Sequence, residues 1–214
     1  MKKNSFTPIK PLNPKQAKLI QSIYTKELVI STGFAGTGKS YLTAALAAQF
    51  YHEQKVDRIV LTRPTVPIEK SLGFMPGNAF EKLQPWMAPF ISVLEQFLSK
   101  GEVECMLKNE KLQLIPFETL RGYTFNQSFV ILDEAQNSSI SEMKCMLTRL
   151  GKNSTTVING DPTQTDLKKA NGLDYLCDLY LKHKPLQAKV DWVQFDKSEI
   201  VRSDLCRLFI EAME

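Results

Sequence analysis

Three glycines, a lysine and a hydroxyl fall within eight residues, Gly33-Phe34-Ala35-Gly36-Thr37-Gly38-Lys39-Ser40. Gly33, Gly36 and Gly38 permit positive φ and let bare backbone N–H groups wrap an anion closely. Lys39 adds a mobile positive charge, and Ser40 a hydroxyl able to ligate a metal. Gly33, four free positions, then Gly38-Lys39-Ser40 is the complete P-loop pattern, whose amides cradle nucleotide phosphates. The expected nucleotide contacts are therefore Gly33, Phe34, Ala35, Gly36, Thr37, Gly38, Lys39, Ser40 and the following Tyr41. A glycine-rich turn opening any helix has a similar composition. Here an apolar run at 27–32 precedes the loop and a helical run follows it, the context that the pattern demands.

Phosphate binding alone does not break a bond; a metal and an activated water are also needed. The run 129–136, FVILDEAQ, offers both. Asp133 ends a wholly apolar stretch, where an unpaired carboxylate is costly unless a cation or solvent meets it. Magnesium held between Ser40, nucleotide oxygens and Asp133 is the simplest partner. Glu134, one residue on, is placed to take a proton from the attacking water. A second apolar run ends in Gly160-Asp161-Pro162-Thr163-Gln164, where Gln164 is positioned to touch a γ-phosphate or its water. The plain alternatives are a solvated strand end and an Asp-Pro turn.

These residues need elements to hold them. Runs at 28–32, 58–63, 112–117, 129–134, 155–160 and 190–195 read as strands, several nearly continuous in Val, Ile and Leu. That is the pattern of parallel strands buried on both faces. Residues 40–54, 85–99 and 139–150 read as helices, the last capped by Ser139 or Ser141. Alternation of this kind predicts an α/β fold with a doubly wound, mostly parallel sheet flanked by helices. Ligands of such sheets sit beyond the carboxyl ends of the strands, where the P-loop falls.

The chain of 214 residues suits one domain (15–214) behind an N-terminal arm (1–14). No apolar run reaches the roughly 18 residues that span a bilayer, and the lysines near the start have no apolar segment behind them, so neither a membrane span nor a secretion signal is expected. Cys105, Cys145, Cys177 and Cys206 are scattered, which argues against a zinc site or disulfide framework and suits a cytoplasmic protein. The net charge of +4 permits a polyanionic partner without demanding one.

The segments GTGKS, RPTV, LGFMPG, EKLQPW, FETLRGYTF, FVILDEAQN, MLTRLG and NGDPTQTDL occur in that order. Together they resemble the PhoH-like ATPases, relatives of the superfamily 1 helicases, from about residue 15 to the C-terminus. The resemblance implies a single RecA-like P-loop domain that binds and hydrolyses ATP with Mg2+, linked to RNA. It gives Lys39 and Ser40 to phosphates and magnesium, Asp133 and Glu134 to metal and water, and Gln164 to γ-phosphate sensing. Gln16 resembles the adenine-reading glutamine ahead of the P-loop in related helicases. The chain departs from the family's Gly-Glu pair at Glu69-Lys70-Ser71, and from its Val-Arg-His at Val201-Arg202-Ser203.

Related helicases complete catalysis with an arginine from a second RecA-like domain, for which this chain has no room. A neighbouring subunit is the expected source, hence a homo-oligomer, most simply a hexameric ring. Arg202 is the preferred finger, with Arg121 and Arg149 as alternatives. The leading expectation is an ATPase that remodels or unwinds RNA or single-stranded DNA, with Arg63 and Lys70 on phosphates and Phe74 or Trp86 stacking on bases. A nucleotide-dependent switch or assembly factor acting on a protein partner is the second. A small-molecule kinase is the third, disfavoured because no lid or acceptor site is visible.

Overall fold

The computed structural model describes residues 6–64, 79–165, 170–203, 205, 206 and 209. Six strands form one sheet: β1 (Leu28–Gly33), β2 (Arg58–Arg63), β3 (Leu112–Pro116), β4 (Ser128–Leu132), β5 (Thr155–Gly160) and β6 (Val190–Phe195). Their order is β3-β2-β4-β5-β1-β6, and every neighbouring pair is parallel. All six expected strands are present. β4 stops at Leu132, ahead of the expected end at 134, because Glu134 turns left-handed at φ 53 and takes the chain out of the sheet.

Strand residues alternate between two apolar layers. Val29, Ile59, Leu61, Phe129, Ile131 and Val157 face one cluster, with Leu19, Leu42, Leu46, Met87 and Leu94. Ile30, Val60, Val130, Leu132 and Ile158 face the other, with Met143, Met146, Leu173 and Leu176. Burial on both faces explains why the strands lack polar alternation. The first layer is covered by α1 (Pro14–Thr25), α2 (Lys39–His52), α3 (Ala79–Leu98) and α4 (Lys100–Lys108), the second by α5 (Ile140–Leu147) and α6 (Gly172–Lys182).

Three of these helices, α1, α4 and α6, were not expected from the sequence, although each carries a start signal; Ser99 caps α4 by accepting from the Glu102 amide at 3.4 Å. Asn13 caps α1 by accepting from the Gln16 amide at 2.8 Å, with Pro14 at the first position. Asn171 caps α6 in the same way through the Asp174 amide, also at 2.8 Å. Ser139, not Ser141, caps α5 in a reciprocal box with Glu142. α3 begins at Ala79, before the expected start at Pro85, and carries Pro85 and Pro89 within it.

Residues 6–13 precede α1 as an arm lying on the first layer, where the Phe6 and Phe97 rings stack with centroids 5.3 Å apart. The cysteines are unpaired. Burial, then the charges of Asp174 and Asp178, pushes the Cys177 thiol up to about 12, which leaves it inert. Among the described residues no helix is long and apolar enough to cross a membrane.

One polar contact ties α1 to the sheet edge. Asp191 on β6 receives Lys18 Nζ and Ser22 Oγ, each at 2.7 Å. Burial alone would raise this carboxyl; the Lys18 and Ser22 hydrogen bonds, the lysine charge and the Trp192 amide outweigh it and hold it below the ordinary range. A depressed folded value adds stability above the unfolded carboxylate range and loses it as pH falls through the folded value. Lys18 is half exposed, so screening limits the gain. Asp191→Asn is expected to cost about 1 kcal/mol at neutral pH, with the gap from wild type narrowing in acid, as pH falls below the ordinary carboxylate range. Urea melts at neutral pH and in acid check this; a gap of equal size at both would refute it.

Candidate functional site

Strand order decides which loops meet. β4, β5 and β1 are consecutive in the sheet, so the loops leaving their carboxyl ends, after Leu132, Gly160 and Gly33, converge. β2 flanks β4 and brings Arg63 alongside; β6 flanks β1 and leads the chain back toward 201–202. The result is a cleft of about 700 Å³, the size of a small-molecule site. Gly36, Gly38, Lys39, Ser40, Asp133, Glu134, Asp161, Gln164 and Arg202 all line it. Ala35, Tyr41 and Gln16 line it too, whereas Gly33, Phe34 and Thr37 do not. Thr37 is fully buried, and its hydroxyl donates to the Phe34 carbonyl at 2.9 Å.

Gly33 leaves β1 at φ +130, and a Cβ there would lie 2.1 Å from the Phe195 carbonyl oxygen. Only glycine fits so close to β6 in that conformation. α2 then starts from Gly38 without a side-chain cap. Its first-turn amides therefore remain for an anion, favoured also by the helix dipole. Lys39 is buried, its ammonium donating to the carbonyls of Gly33 (2.6 Å) and Phe34 (2.7 Å). Burial lowers its pKa, while the charges of Asp161, Asp133 and Glu134 oppose that fall.

Across the cleft, Ser40 Oγ donates to Asp133 Oδ1 at 3.1 Å. Burial first, then the Glu134 charge, raises the Asp133 carboxyl to about 6, against the pull of Arg63, Ser40 and Lys39. Asp161 is buried as well, and its Oδ2 has no hydrogen-bond partner among the described residues. An oxygen-only set with an unpartnered carboxylate atom suits a hard divalent cation. Among the described residues no group of three His, Cys, Asp or Glu could hold a metal. A cation here would rely on ligand oxygens and water as well, the usual arrangement for magnesium.

Gln136 was not anticipated. It is almost fully buried, and its Nε2 donates to Glu134 Oε2 at 2.6 Å. Its Oε1 accepts from the Asp161 amide at 3.0 Å, and its Nε2 also reaches the Gln164 carbonyl at 3.4 Å. One amide side chain thus joins the loop after β4 to the loop after β5. The sequence signal was an amide side chain two residues past Glu134, silent about its partners until the strands are ordered.

Residues 12–16, at the start of α1, and 201–202, after β6, close over the P-loop. Gln16 is buried; its Oε1 accepts from the Leu12 amide (2.8 Å) and its Nε2 donates to the Thr37 carbonyl (2.9 Å). From the other segment, the Val201 amide donates to the Gly36 carbonyl at 2.9 Å. A Cβ on Gly36 would sit 2.8 Å from Arg202 Cγ. Arg202, expected to reach a neighbouring subunit's site, therefore lies against its own P-loop, because β6 pairs with β1 and returns the chain there. Arg149 lies at the opposite end of the sheet, its carbonyl accepting from the Phe125 amide ahead of β4, and Arg121 is exposed on the loop between β3 and β4. Arg63 and Trp86 are in contact, whereas Lys70, Phe74 and the Glu69-Lys70-Ser71 loop lie outside the described residues.

Residues 8–214 match the family model described as PhoH-like protein. The chain is 39% identical over 210 residues to Protein PhoH of Escherichia coli K12, covering 96% of this chain and 58% of that protein. It is 35% identical to a PhoH-like protein of Synechocystis, covering 94% and 60%, and 34% identical to one of Bacillus subtilis, covering 93% and 62%. It thus spans about three fifths of the length of these curated relatives. Among solved structures, the large terminase of a thermophilic bacteriophage, in complex with ADP, superposes with a TM-score of 0.55 at 12% identity, over 95% of this chain and 50% of that one. The HK97 bacteriophage large terminase gives 0.53 at 11% identity, over 92% and 41%. At such identity these likenesses speak to the fold, a single RecA-like P-loop domain. By its sequence match over nearly its whole length, the chain belongs to the PhoH-like protein family.

Proposed function

We propose that this chain binds ATP with Mg2+ in the cleft and hydrolyses it, coupling turnover to the remodelling of RNA or single-stranded DNA in the cytoplasm. The observation that carries the reading is the meeting of Lys39, Ser40, Asp133, Glu134 and Gln164 in one cleft beneath uncapped helix amides. The P-loop amides take the phosphates, and Lys39 exchanges the Gly33 and Phe34 carbonyls for phosphate oxygens. Ser40 and Asp133 would hold magnesium, which would supply positive charge to the phosphates. Glu134 takes the proton of the attacking water, held for that task by Gln136. Gln164 faces the γ-phosphate, and Gln16 the adenine. Nucleic acid is favoured over a protein partner by the partly exposed Trp86, a surface for base stacking with Arg63 against its ring.

The position of Arg202 changes the expected source of the arginine. Such a cation stabilises charge on the transferred phosphoryl by about 10³- to 10⁵-fold in rate. Lying on Gly36, Arg202 serves the nucleotide of its own chain, and the main motive for a hexameric ring is removed.

Four measurements test this. Glu134→Gln should keep ATP binding and lose at least about 100-fold in turnover; wild-type phosphate release by this variant would refute the assignment. Lys39→Ala should weaken binding of a fluorescent ATP analogue by about tenfold or more. Arg202→Ala and Glu134→Gln proteins, each inactive, should stay inactive when mixed; recovery in proven mixed oligomers would restore the neighbouring-subunit assignment. Turnover should rise with RNA or single-stranded DNA, whereas indifference to both, with a co-purifying protein that changes the rate, would favour the partner switch.

A further inference from the structure

Glu134 is held from two sides, and neither holder was given this role by the sequence. Gln136 takes Oε2, while Arg63 Nη2 stands 3.8 Å from Oε1. The second contact follows from register. β2 pairs with β4 so that Thr62 is level with Leu132, and the Asp133 amide donates to the Thr62 carbonyl at 3.0 Å. Arg63, the next residue and the last of β2, is thereby brought beside the Asp133-Glu134 turn. Its guanidinium carbon in turn lies 5.3 Å from the centre of the Trp86 ring on α3, within cation–π range. Trp86 is 36% exposed, and the Arg63 and Glu134 side chains are 27% and 34% exposed.

We infer that Arg63 is a positioning residue for Glu134, braced by Trp86, so that the place of α3 against the sheet sets the aim of the water-activating carboxylate. Two opposite effects of Arg63 compete. Its guanidinium competes with water for the Glu134 oxygens, a pull that solvent screening keeps small at a half-open distance of 3.8 Å. Its contact fixes a carboxylate that sits on a left-handed residue and is otherwise held, among the described residues, through Oε2. Misplacing a reacting group by about 1 Å can cost about 100-fold in rate, so positioning outweighs the charge effect. Anything that moves Trp86 then moves Glu134 without touching the nucleotide.

This inference rests on the proposed hydrolysis with Glu134 as base, and the Glu134→Gln variant separates the two. If that variant turns over normally, the proposed reading fails; if it is inactive while Arg63→Gln is normal, only the present inference fails. The experiment measures kcat and KM for ATP, with affinity for a fluorescent ADP analogue, in the full chain and its variants. Arg63→Gln is expected to lower kcat about tenfold with KM and affinity unchanged, and Arg63→Lys to recover part of the loss. Trp86→Ala should lower kcat severalfold in the wild-type background and have no further effect beside Arg63→Gln, while Trp86→Phe, which keeps a ring, should be milder. Unchanged kcat in Arg63→Gln would overturn the inference. So would a matching loss of nucleotide affinity, which would put Arg63 on the nucleotide itself, or a Trp86→Ala effect that simply multiplies that of Arg63→Gln. A fall in melting temperature that tracks kcat across all four variants would mark a structural role and overturn it too.

Discussion

Lys39, Asp133 and Asp161 are removed from water at one end of a largely apolar sheet, and much of the cleft's organisation answers to that burial. A charge taken from solvent without a partner shifts its pKa or destabilises the fold. Here the shifts run in opposite senses: burial lowers Lys39 and raises Asp133. Each charge moderates the other. Lys39 rests on two carbonyls and, at 3.4 Å, the Thr37 hydroxyl, whereas Asp133 has one hydroxyl and Asp161 is partnered by Thr163 through one oxygen alone. A cleft that holds its lysine on neutral oxygens and its carboxylates half-paired is suited to a ligand that is itself a polyanion with a cation attached. The same polarity that makes this burial costly to the fold gives a metal–phosphate ligand its grip.

This arrangement depends on strand order more than on any single loop. Placing β4 and β5 beside β1 brings together carboxyl ends that are about a hundred residues apart in sequence. Glycine at position 33 is the corresponding local requirement, since β6 could not lie so close to β1 with a side chain there. Parallel strands demand helical crossovers, and the two apolar layers are what those crossovers cover. The sheet that fixes the site is therefore the same object that supplies the core.

How much of this was legible in the sequence follows from range. The six strands were readable because burial on both faces writes itself into each strand as a continuous apolar run, visible over a few residues. The P-loop, Asp133, Glu134 and Gln164 were readable because their spacing is local or they end such runs. Gln136 was not, since its role lies in contacts with Asp161 and Gln164 that exist only after β5 docks beside β4. α1 was placed within the domain, which was taken to begin at residue 15, but was not read as an element although Asn13 and Pro14 mark its start, because its exposed face is rich in lysine and glutamine. Arg202 was assigned to a neighbour by reasoning from a missing domain. The pairing of β6 with β1, which no local pattern reveals, carries it to its own P-loop instead.

That pairing has a consequence for how the ends of the chain behave. The carbonyls of Gly36 and Thr37, adjacent in the P-loop, are taken by Val201 from one end and Gln16 from the other. Gln16 is itself tied to Leu12, and Asn13 reaches the Glu199 carbonyl at 3.5 Å, so the two terminal segments also touch each other. The phosphate loop is thereby one part of a closed circuit of hydrogen bonds. If a ligand binds the loop more tightly with these segments docked, undocking either segment weakens that ligand by the same factor.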